Sequence, residues 1–284
     1  MTNKNQFTPQ WRNTPPNPGS FRSIFKYGDP KGFKHPNARL YEELKKTFAL
    51  SDADFRKKET TGDEIVELDK PGLISPESIQ KFEEIVGAEN MSTKAFDRLR
   101  FSSGQTLEEH MKLRRQMVEN ISDLVVHPRN KSDVEKIVNY CNQQKIPVYV
   151  YVGGSSVNFG VYPEKGGISL VLSTHMNKVL ELNETNQTVT VQAGIMGPAL
   201  EEALNTAKEK YGTTKNYTCG HFPQSFEYST IGGWVVTLGS GQQSSYYGDA
   251  ADLVLAAEMV TPAGTIKTME LPATATGPKV LDMI

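Results

Sequence analysis

The chain has 284 residues, 37% of them hydrophobic, which is enough for one large domain or two ordinary ones with a sizeable core. Its formal net charge of -2 and the lack of a basic stripe exclude a nucleic-acid-binding surface. Cys141 and Cys219 are far apart without metal-ligand spacing, so we expect no disulfide framework, no metal site and a reducing, cytoplasmic setting. No uncharged apolar run reaches the length of a membrane span, so we expect none.

The first part of the chain is predicted to be an arm followed by helices. Residues 1–35 are rich in proline and glycine and have few periodic apolar positions, so we expect an extended N-terminal arm. Residues 36–119 are expected to form a mostly helical lead-in. Leu40, Leu44 and Phe48 have the spacing of one helix face, which predicts a helix that buries them.

A second helix of the lead-in is predicted from its end signals. Ser75 can accept hydrogen bonds from the free N–H groups of a first turn, and Pro76 suits the first helical position. Gly87 marks the predicted end of this helix.

The pattern changes near residue 120, where we expect a further domain over 120–284. Residues 122–128 predict a strand and residues 131–144 an amphipathic helix, with Ser132 and Glu135 in a capping-box pattern. The β-branched and aromatic run at 145–152 predicts a second strand, which ends in a glycine turn.

The remaining elements complete an α+β prediction. Strands are predicted at 168–173, 178–183 and 187–193, a helix at 198–210, and a hairpin that turns at 262–264. The order indicates a small βαβ unit followed by a mixed or antiparallel sheet with flanking helices.

Two segments rich in glycine and hydroxyl residues are the candidate ligand sites. Residues 150–156 read VYVGGSS, and residues 218–248 contain five glycines in their first 24 positions, with serines and threonines between them. Glycines let a backbone approach a large anion, and N–H groups and hydroxyls can then donate to it. The alternatives are a strand-ending turn and a solvated surface loop. Apolar residues such as Phe226, Ile231 and Trp234 favour a packed wall over a loop.

The two segments together favour a pyrophosphate held by neutral donors. Neither segment carries a lysine. The sequence after the strand lacks both GxGxxG opening a helix and GxxxxGK[ST], which disfavours a nicotinamide Rossmann domain and a P-loop.

Four longer motifs carry a family resemblance: DLVVHPRNKSDVEKIV, VGGSSVNFG, VQAGIMGPALEEAL and TCGHFPQSFEYSTIGGWV. With them, the chain from about residue 121 resembles the PCMH-type FAD-binding domain of the vanillyl-alcohol-oxidase-like FAD-linked oxidases. The pattern GHxPxSxExSTxGGW is most similar to the alkylglycerone-phosphate synthase branch. The resemblance implies the α+β fold of that domain and FAD as the cofactor.

The resemblance also implies which residues line FAD. The turn would hold the pyrophosphate, and the later segments would line the flavin, ribityl and phosphate parts. The implied residues are Val150, Tyr151, Val152, Gly153, Gly154, Ser155, Ser156, Pro223, Gln224, Ser225, Phe226, Glu227, Tyr228, Ser229, Val236, Thr237, Leu238 and Gly239.

This chain departs from the family pattern at the turn. Val150 and Val152 stand where the family usually has proline and a third glycine, which would weaken or re-angle the cofactor contact. The turn has no histidine or cysteine for covalent attachment, so we expect non-covalent FAD. We interpret Cys219 and His221 as packed or hydrogen-bonding residues.

The implied activity is that of the FAD-binding portion of a flavin-dependent oxidoreductase, with an alcohol or 2-hydroxy acid as the small-molecule substrate and hydride transfer to FAD. One alternative is ether-lipid synthesis of the alkylglycerone-phosphate synthase type, and another is a cofactor-free interaction module. A homodimer is a candidate assembly.

No catalytic base is assigned, because in relatives it comes from a cap domain. We expect the chain to be truncated before that cap, since residues 279–284 break off within an apolar helical pattern. The alternative is a cap domain on a separate polypeptide.

Overall fold

The computed structural model describes residues 16–25, 37–56, 60 and 62–268. The chain is divided into two compact units. The first unit contains the described residues of Met1–Glu67 together with Gln105–Glu119, and the second contains Leu68–Gly104 and the described residues of Asn120–Ile284. The predicted boundaries of the arm, the lead-in and the FAD-binding domain stay predictions. Most of the arm and the C-terminal ending lie outside the described residues.

The helices and strands of the described residues are distributed over both units. The α-helices are α1 Ala38–Phe48, α2 Asp52–Arg56, α3 Pro76–Val86, α4 Ala95–Arg100, α5 Leu107–Arg114, α6 Lys131–Gln144, α7 Gly197–Asn205, α8 Ala207–Tyr211, α9 Ile231–Val236, α10 Ser244–Tyr247 and α11 Ala250–Leu253. The strands are β1 Met91–Ser92, β2 Leu124–Val126, β3 Val148–Tyr151, β4 Ile168–Val171, β5 Val179–Asn183, β6 Thr188–Val191, β7 Glu258–Thr261 and β8 Gly264–Lys267.

A four-stranded mixed sheet with the order β1-β2-β4-β3 is the centre of the second unit. β4 pairs in parallel with both β2 and β3, and β1 pairs antiparallel with β2. The predicted βαβ unit is therefore confirmed as β2, α6 and β3, with β4 inserted between the two strands. The pairs β5–β6 and β7–β8 are antiparallel hairpins, so the α+β prediction is confirmed.

The side chains of the sheet alternate between two cores, as the two-residue period of a strand requires. Leu124 and Val126 of β2 enter a cluster with α3 and α6, while Val125 between them enters a smaller cluster with Tyr151 at the end of β3. All three β2 residues are buried. The sheet is thus covered on both faces, which fixes the position of the loops at its carboxyl edge.

The predicted start and the predicted end of α3 are both confirmed. α3 begins at Pro76, and the Ser75 hydroxyl accepts a hydrogen bond from the Ser78 N–H at 3.2 Å. Gly87 ends that helix with φ of 84°.

Three local predictions need correction. α6 begins after Asn130, whose side chain accepts from the Asp133 N–H, so the capping box predicted from Ser132 and Glu135 is wrong. Asn130 lies outside the helix and its oxygen reaches the first-turn donor, whereas Ser132 is already helical. The predicted helix at 198–210 is two helices, because the chain turns at Thr206. α1 buries Tyr41, while Leu40 and Phe48 of its predicted apolar face are exposed.

None of the helices in the described ranges combines the length and the hydrophobicity that a membrane crossing requires.

Candidate cofactor site

The glycine turn leaves the carboxyl end of β3, next to the carboxyl end of the parallel strand β4. Ligands of α/β sheets bind at such edges because loops from neighbouring strands converge there. Gly153 and Gly154 are buried, and Gly154 has φ of 65°, a left-handed conformation that side chains disfavour. The Ser173 hydroxyl of the loop after β4 donates to the Val152 carbonyl at 2.8 Å and fixes the start of the turn.

The turn presents backbone donors. The N–H groups of Gly154 and Ser156 donate to no acceptor among the residues that the structure describes. Beyond them, the Ser156 hydroxyl accepts from the Gly160 N–H at 2.9 Å and donates to the Asn158 side chain, which closes the loop that follows. Consecutive N–H groups in such a turn form a concave site for an anion.

The structure brings the glycine turn together with residues 223–229, which are the second of the three predicted cofactor segments. A Cβ added to Gly153 would collide with the Tyr228 carbonyl oxygen and lie 2.9 Å from the Ser229 Cα. The Val152 side chain lies near Gly233, 3.7 Å from the position of a Cβ there. Two of the three predicted cofactor segments are therefore in direct backbone contact.

The second segment is held by its own hydrogen bonds. The Phe226 N–H donates to the Pro223 carbonyl and the Tyr228 N–H to the Ser225 carbonyl, which makes a 3-10 turn over Phe226–Tyr228. Gln224 and Glu227 are exposed on the outside of this turn. The turn therefore orients its backbone toward Gly153 and its charged side chain toward solvent.

The next helix, α9, uses hydroxyl groups for its own structure. The Thr230 hydroxyl caps α9 by accepting from the Gly233 N–H, and the Ser229 hydroxyl accepts from the Trp234 indole N–H at 2.6 Å. Ser229, Thr230 and Trp234 are all at most 5% exposed. These hydroxyls stabilise the wall of the site.

The third predicted segment, 236–239, lies at the end of α9. Val236 and Leu238 are exposed, and Leu238 has φ of 51°. The Thr237 hydroxyl donates to the Gly233 carbonyl at 2.8 Å, and the Gly239 N–H donates to the Trp234 carbonyl. Within the described residues, no hydrogen bond joins this segment to the glycine turn.

The chain before α7 supports the second segment from behind. The Ile231 N–H donates to the Ile195 carbonyl, and the Gly232 N–H donates to the Ala193 carbonyl. A Cβ on Gly232 would lie 2.6 Å from the Ala193 Cβ, so glycine is required for this close approach.

His221 is an unsatisfied buried group next to the second segment. It is 2% exposed, its Nε2 atom has no hydrogen-bond partner among the described residues, and its ring packs edge-on against Trp234 at 4.9 Å between centroids. Burial lowers the pKa of His221, and the negative charge of Asp249 opposes that change. The neutral imidazole is therefore favoured.

Sequence reasoning did not identify Glu201 and Ser173 as parts of this site. Glu201 is buried on α7 and accepts hydrogen bonds from Thr218 and from the Cys219 N–H. A charged residue on the apolar face with Leu200 and Leu204 was the available signal. The pairing of β3 with β4 brings Ser173 next to the turn, so no local pattern identifies it.

These features fit a large anionic ligand. The site has a buried glycine turn with free N–H donors, backbone packed against backbone at Gly153, and an aromatic wall at Phe226 and Trp234. Among the described residues, no group of three or more His, Cys, Asp or Glu side chains could hold a metal ion. Such a fold and turn fit a domain that accommodates an anionic cofactor outside the Rossmann class.

Comparison with known families supports that class. The sequence profile described as "FAD binding domain" matches residues 122–270, and the chain belongs to this family. The matched range contains all the predicted cofactor residues. The fold is therefore that of the PCMH-type FAD-binding oxidases.

The similar proteins include both synthases and oxidases. The chain is 32% identical over 195 residues to alkyldihydroxyacetonephosphate synthase of Dictyostelium discoideum, covering 68% of the chain and 30% of that protein. It is 27% identical over 194 residues to a glycolate oxidase subunit of Bacillus subtilis, covering 68% of the chain and 37% of that protein. A solved alkyldihydroxyacetonephosphate synthase structure matches with 29% identity and a TM-score of 0.70, covering 77% of the chain and 38% of that structure. The chain thus spans about a third of the length of these proteins.

Proposed function

We propose that the chain binds FAD non-covalently, with the turn at residues 150–156 around the pyrophosphate and residues 223–229 and 236–239 along the rest of the cofactor. The packing of Gly153 against Tyr228 and Ser229 carries this proposal, because it joins two predicted cofactor segments into one surface. The N–H groups of Gly154 and Ser156 are the donors that an anionic pyrophosphate requires.

Three observations support non-covalent binding. The turn itself contains no histidine or cysteine. Burial and, next, the negative charge of Glu201 raise the pKa of the Cys219 thiol, and the thiolate is the reactive form of cysteine. The His221 ring is buried against Trp234, which leaves it little freedom to form a bond with a ring outside the core.

When bound, FAD supplies hydride acceptance from carbon or the capture of an activated carbon centre. The residues of this chain bind and orient the cofactor. The Phe226 ring packs against the rings of both Phe222 and Trp234, and the three form an apolar wall on one side of the segment. The catalytic base stays unassigned.

For the whole protein we infer a flavin enzyme with one of two reactions. Sequence analysis favoured oxidation of an alcohol or 2-hydroxy acid as the first candidate reaction, and the similarity to a glycolate oxidase subunit supports that reaction. The synthase of Dictyostelium discoideum covers the same share of the chain at higher identity, and a solved synthase reaches 77% of it. This favours the exchange of an acyl for an alkoxy group, without net redox change, as the first candidate.

Two measurements test these proposals. Titration of the purified chain with FAD, followed by flavin fluorescence, should show saturable binding, and FMN should bind more weakly because it lacks the pyrophosphate and adenosine. A chain that binds neither would favour the cofactor-free module. With FAD present, formation of an ether product from an acylated dihydroxyacetone phosphate and a fatty alcohol would support the exchange, whereas dye reduction by 2-hydroxy acids would support the oxidoreductase.

A further inference from the structure

We propose that Glu201 is a positioning residue for the cofactor segment, which here means residues 218–229. The inference deepens the proposed function and rests on it, since this segment is the proposed wall of the FAD site. Glu201 does not belong to the predicted cofactor residues. Its role follows from how α7 holds this segment at two places.

The Glu201 carboxylate is buried and accepts several hydrogen bonds. It is 8% exposed, and its Oε1 atom accepts from the Cys219 N–H at 2.7 Å. The Thr218 hydroxyl donates toward both carboxylate oxygens, at 3.0 Å and 2.9 Å. The Asn205 side-chain amide, one turn further along α7, donates to Oε2 at 3.2 Å. The carboxylate therefore fixes two consecutive residues at the start of the cofactor segment.

Thr218 extends this connection to the next residues. Its hydroxyl oxygen accepts from the Gly220 N–H at 3.3 Å. Gly220 is buried and has φ of 75°, so the chain turns there before His221. A displacement of Thr218 would change the direction in which the segment enters the site.

The same helix holds the other end of the segment. The Gly197 N–H donates to the Ser229 carbonyl at 3.2 Å, and a Cβ on Gly197 would lie 2.6 Å from the Phe226 ring. Gly197 and Glu201 are four residues apart and lie on one face of α7. One helix therefore sets the distance between the two ends of the cofactor segment.

The carboxylate suits this task better than an amide would. Among the described residues, no lysine or arginine forms an ion pair with Glu201, so its burial depends on the hydrogen-bond donors around it. All the groups that face it are donors. A glutamine at this position would place an N–H₂ group against the Thr218 hydroxyl or the Cys219 N–H, and one of those donors would lose its acceptor.

The first test compares FAD dissociation constants of E201Q and two controls in the 284-residue chain. E201Q should raise the constant about tenfold, because a hydrogen bond to a charged acceptor contributes on the order of a factor of ten. E202Q is the matched control, since Glu202 is the neighbouring residue, is exposed and, among the described residues, forms an ion pair only with Lys210 on the surface. I137V is a stability control in the core with α6. Both controls should stay within about twofold of the wild type.

The second test needs no cofactor. Hydrogen exchange of the Cys219 and Gly220 amides, without FAD, should be about tenfold faster in E201Q than in the wild type and unchanged in E202Q. If E201Q does not fold, T218V removes only the hydroxyl that connects Glu201 to Gly220, and it should show the same two effects.

The outcomes separate the inference from the proposed function. A wild-type chain without FAD binding would contradict the proposed function, and the exchange measurement would still decide whether Glu201 fixes the segment. Faster exchange with an unchanged dissociation constant would show a purely structural residue and overturn the positioning role. Exchange of the Cys219 and Gly220 amides in E201Q at the wild-type rate would also overturn the positioning role. So would a loss of FAD affinity in I137V equal to that in E201Q.

Discussion

Gly153 lies against the carbonyl of Tyr228, so closely that any side chain at position 153 would collide with it. This relationship joins the end of β3 to the 3-10 turn at Phe226–Tyr228, two segments that are distant in the sequence. The proposed site depends on it, because a larger residue would separate the turn that carries the N–H donors from the wall that we propose to face the cofactor.

The first prediction concerns G153A. The added methyl should destabilise the chain by about 1–3 kcal/mol, as overpacking usually does, and should abolish saturable FAD binding. Thermal unfolding and FAD titration measure the two effects. G212A is the comparison, because Gly212 has no atom within 4 Å of an added Cβ, so any loss there comes from its own φ of 69° and not from a steric contact. If G153A bound FAD as well as G212A, the close contact would not define the site.

The second prediction concerns the hydrogen bond from Trp234 to Ser229. S229A leaves the buried indole N–H without its acceptor, and this should cost about 1–3 kcal/mol of the free energy of unfolding. In the W234F background the donor is absent, so the same substitution should cost much less. A double-mutant cycle by urea unfolding, followed by circular dichroism, measures the coupling. Additive effects would argue against this bond in solution.

The third prediction concerns pH. A histidine with a folded-state pKa below its unfolded value binds fewer protons when folded, so its stabilising effect is complete above about pH 6.5 and declines as the pH falls toward the folded-state pKa. Urea unfolding of the wild type should therefore show lower stability at pH 5.5 than at pH 7.5. H221F keeps a ring against Trp234 but cannot titrate, so it should reduce this difference. Burial also lowers the pKa values of His110 and His127, so these two residues should account for the pH dependence of stability that remains in H221F. An identical pH dependence in H221F would exclude the contribution of His221.

The fourth prediction concerns the two thiols. Burial raises the pKa of Cys141 to about 12, and it also raises the pKa of Cys219. Both should react slowly with a disulfide reagent at pH 8 in the native chain and rapidly after unfolding. Cys141, which is 2% exposed, should be the slower of the two, and C219S should leave only that slow phase. Native Cys219 with the rate of a free thiol would contradict the proposed environment and weaken the argument against a covalent flavin.

Elements with strong local signals could be predicted from the sequence. Ser75 and Pro76 define the start of α3 because cap and first-turn chemistry are local, and the β-branched and aromatic run at 145–152 identified β3. Local signals also misled: Ser132 and Glu135 have capping-box spacing, but Asn130 is the residue whose side chain reaches the first-turn N–H group.

The tertiary relationships of the site could not be predicted in this way. The contact of Gly153 with Tyr228 and the hydrogen bond from Ser173 to Val152 depend on strand order, which the sequence does not specify locally. Ser229 was predicted as a cofactor residue, and the structure shows that its hydroxyl accepts the indole N–H of Trp234 within the wall. Only the packed chain shows which polar groups already have partners.

The most direct test of the account is the visible spectrum of the chain after incubation with FAD and removal of free cofactor, followed by acid precipitation. We predict a flavin spectrum in the folded protein and release of all the yellow colour into the supernatant. Colour that stays in the pellet would show a covalent bond and contradict the proposed role of the turn. A protein without flavin absorbance would contradict the central claim that this chain holds FAD.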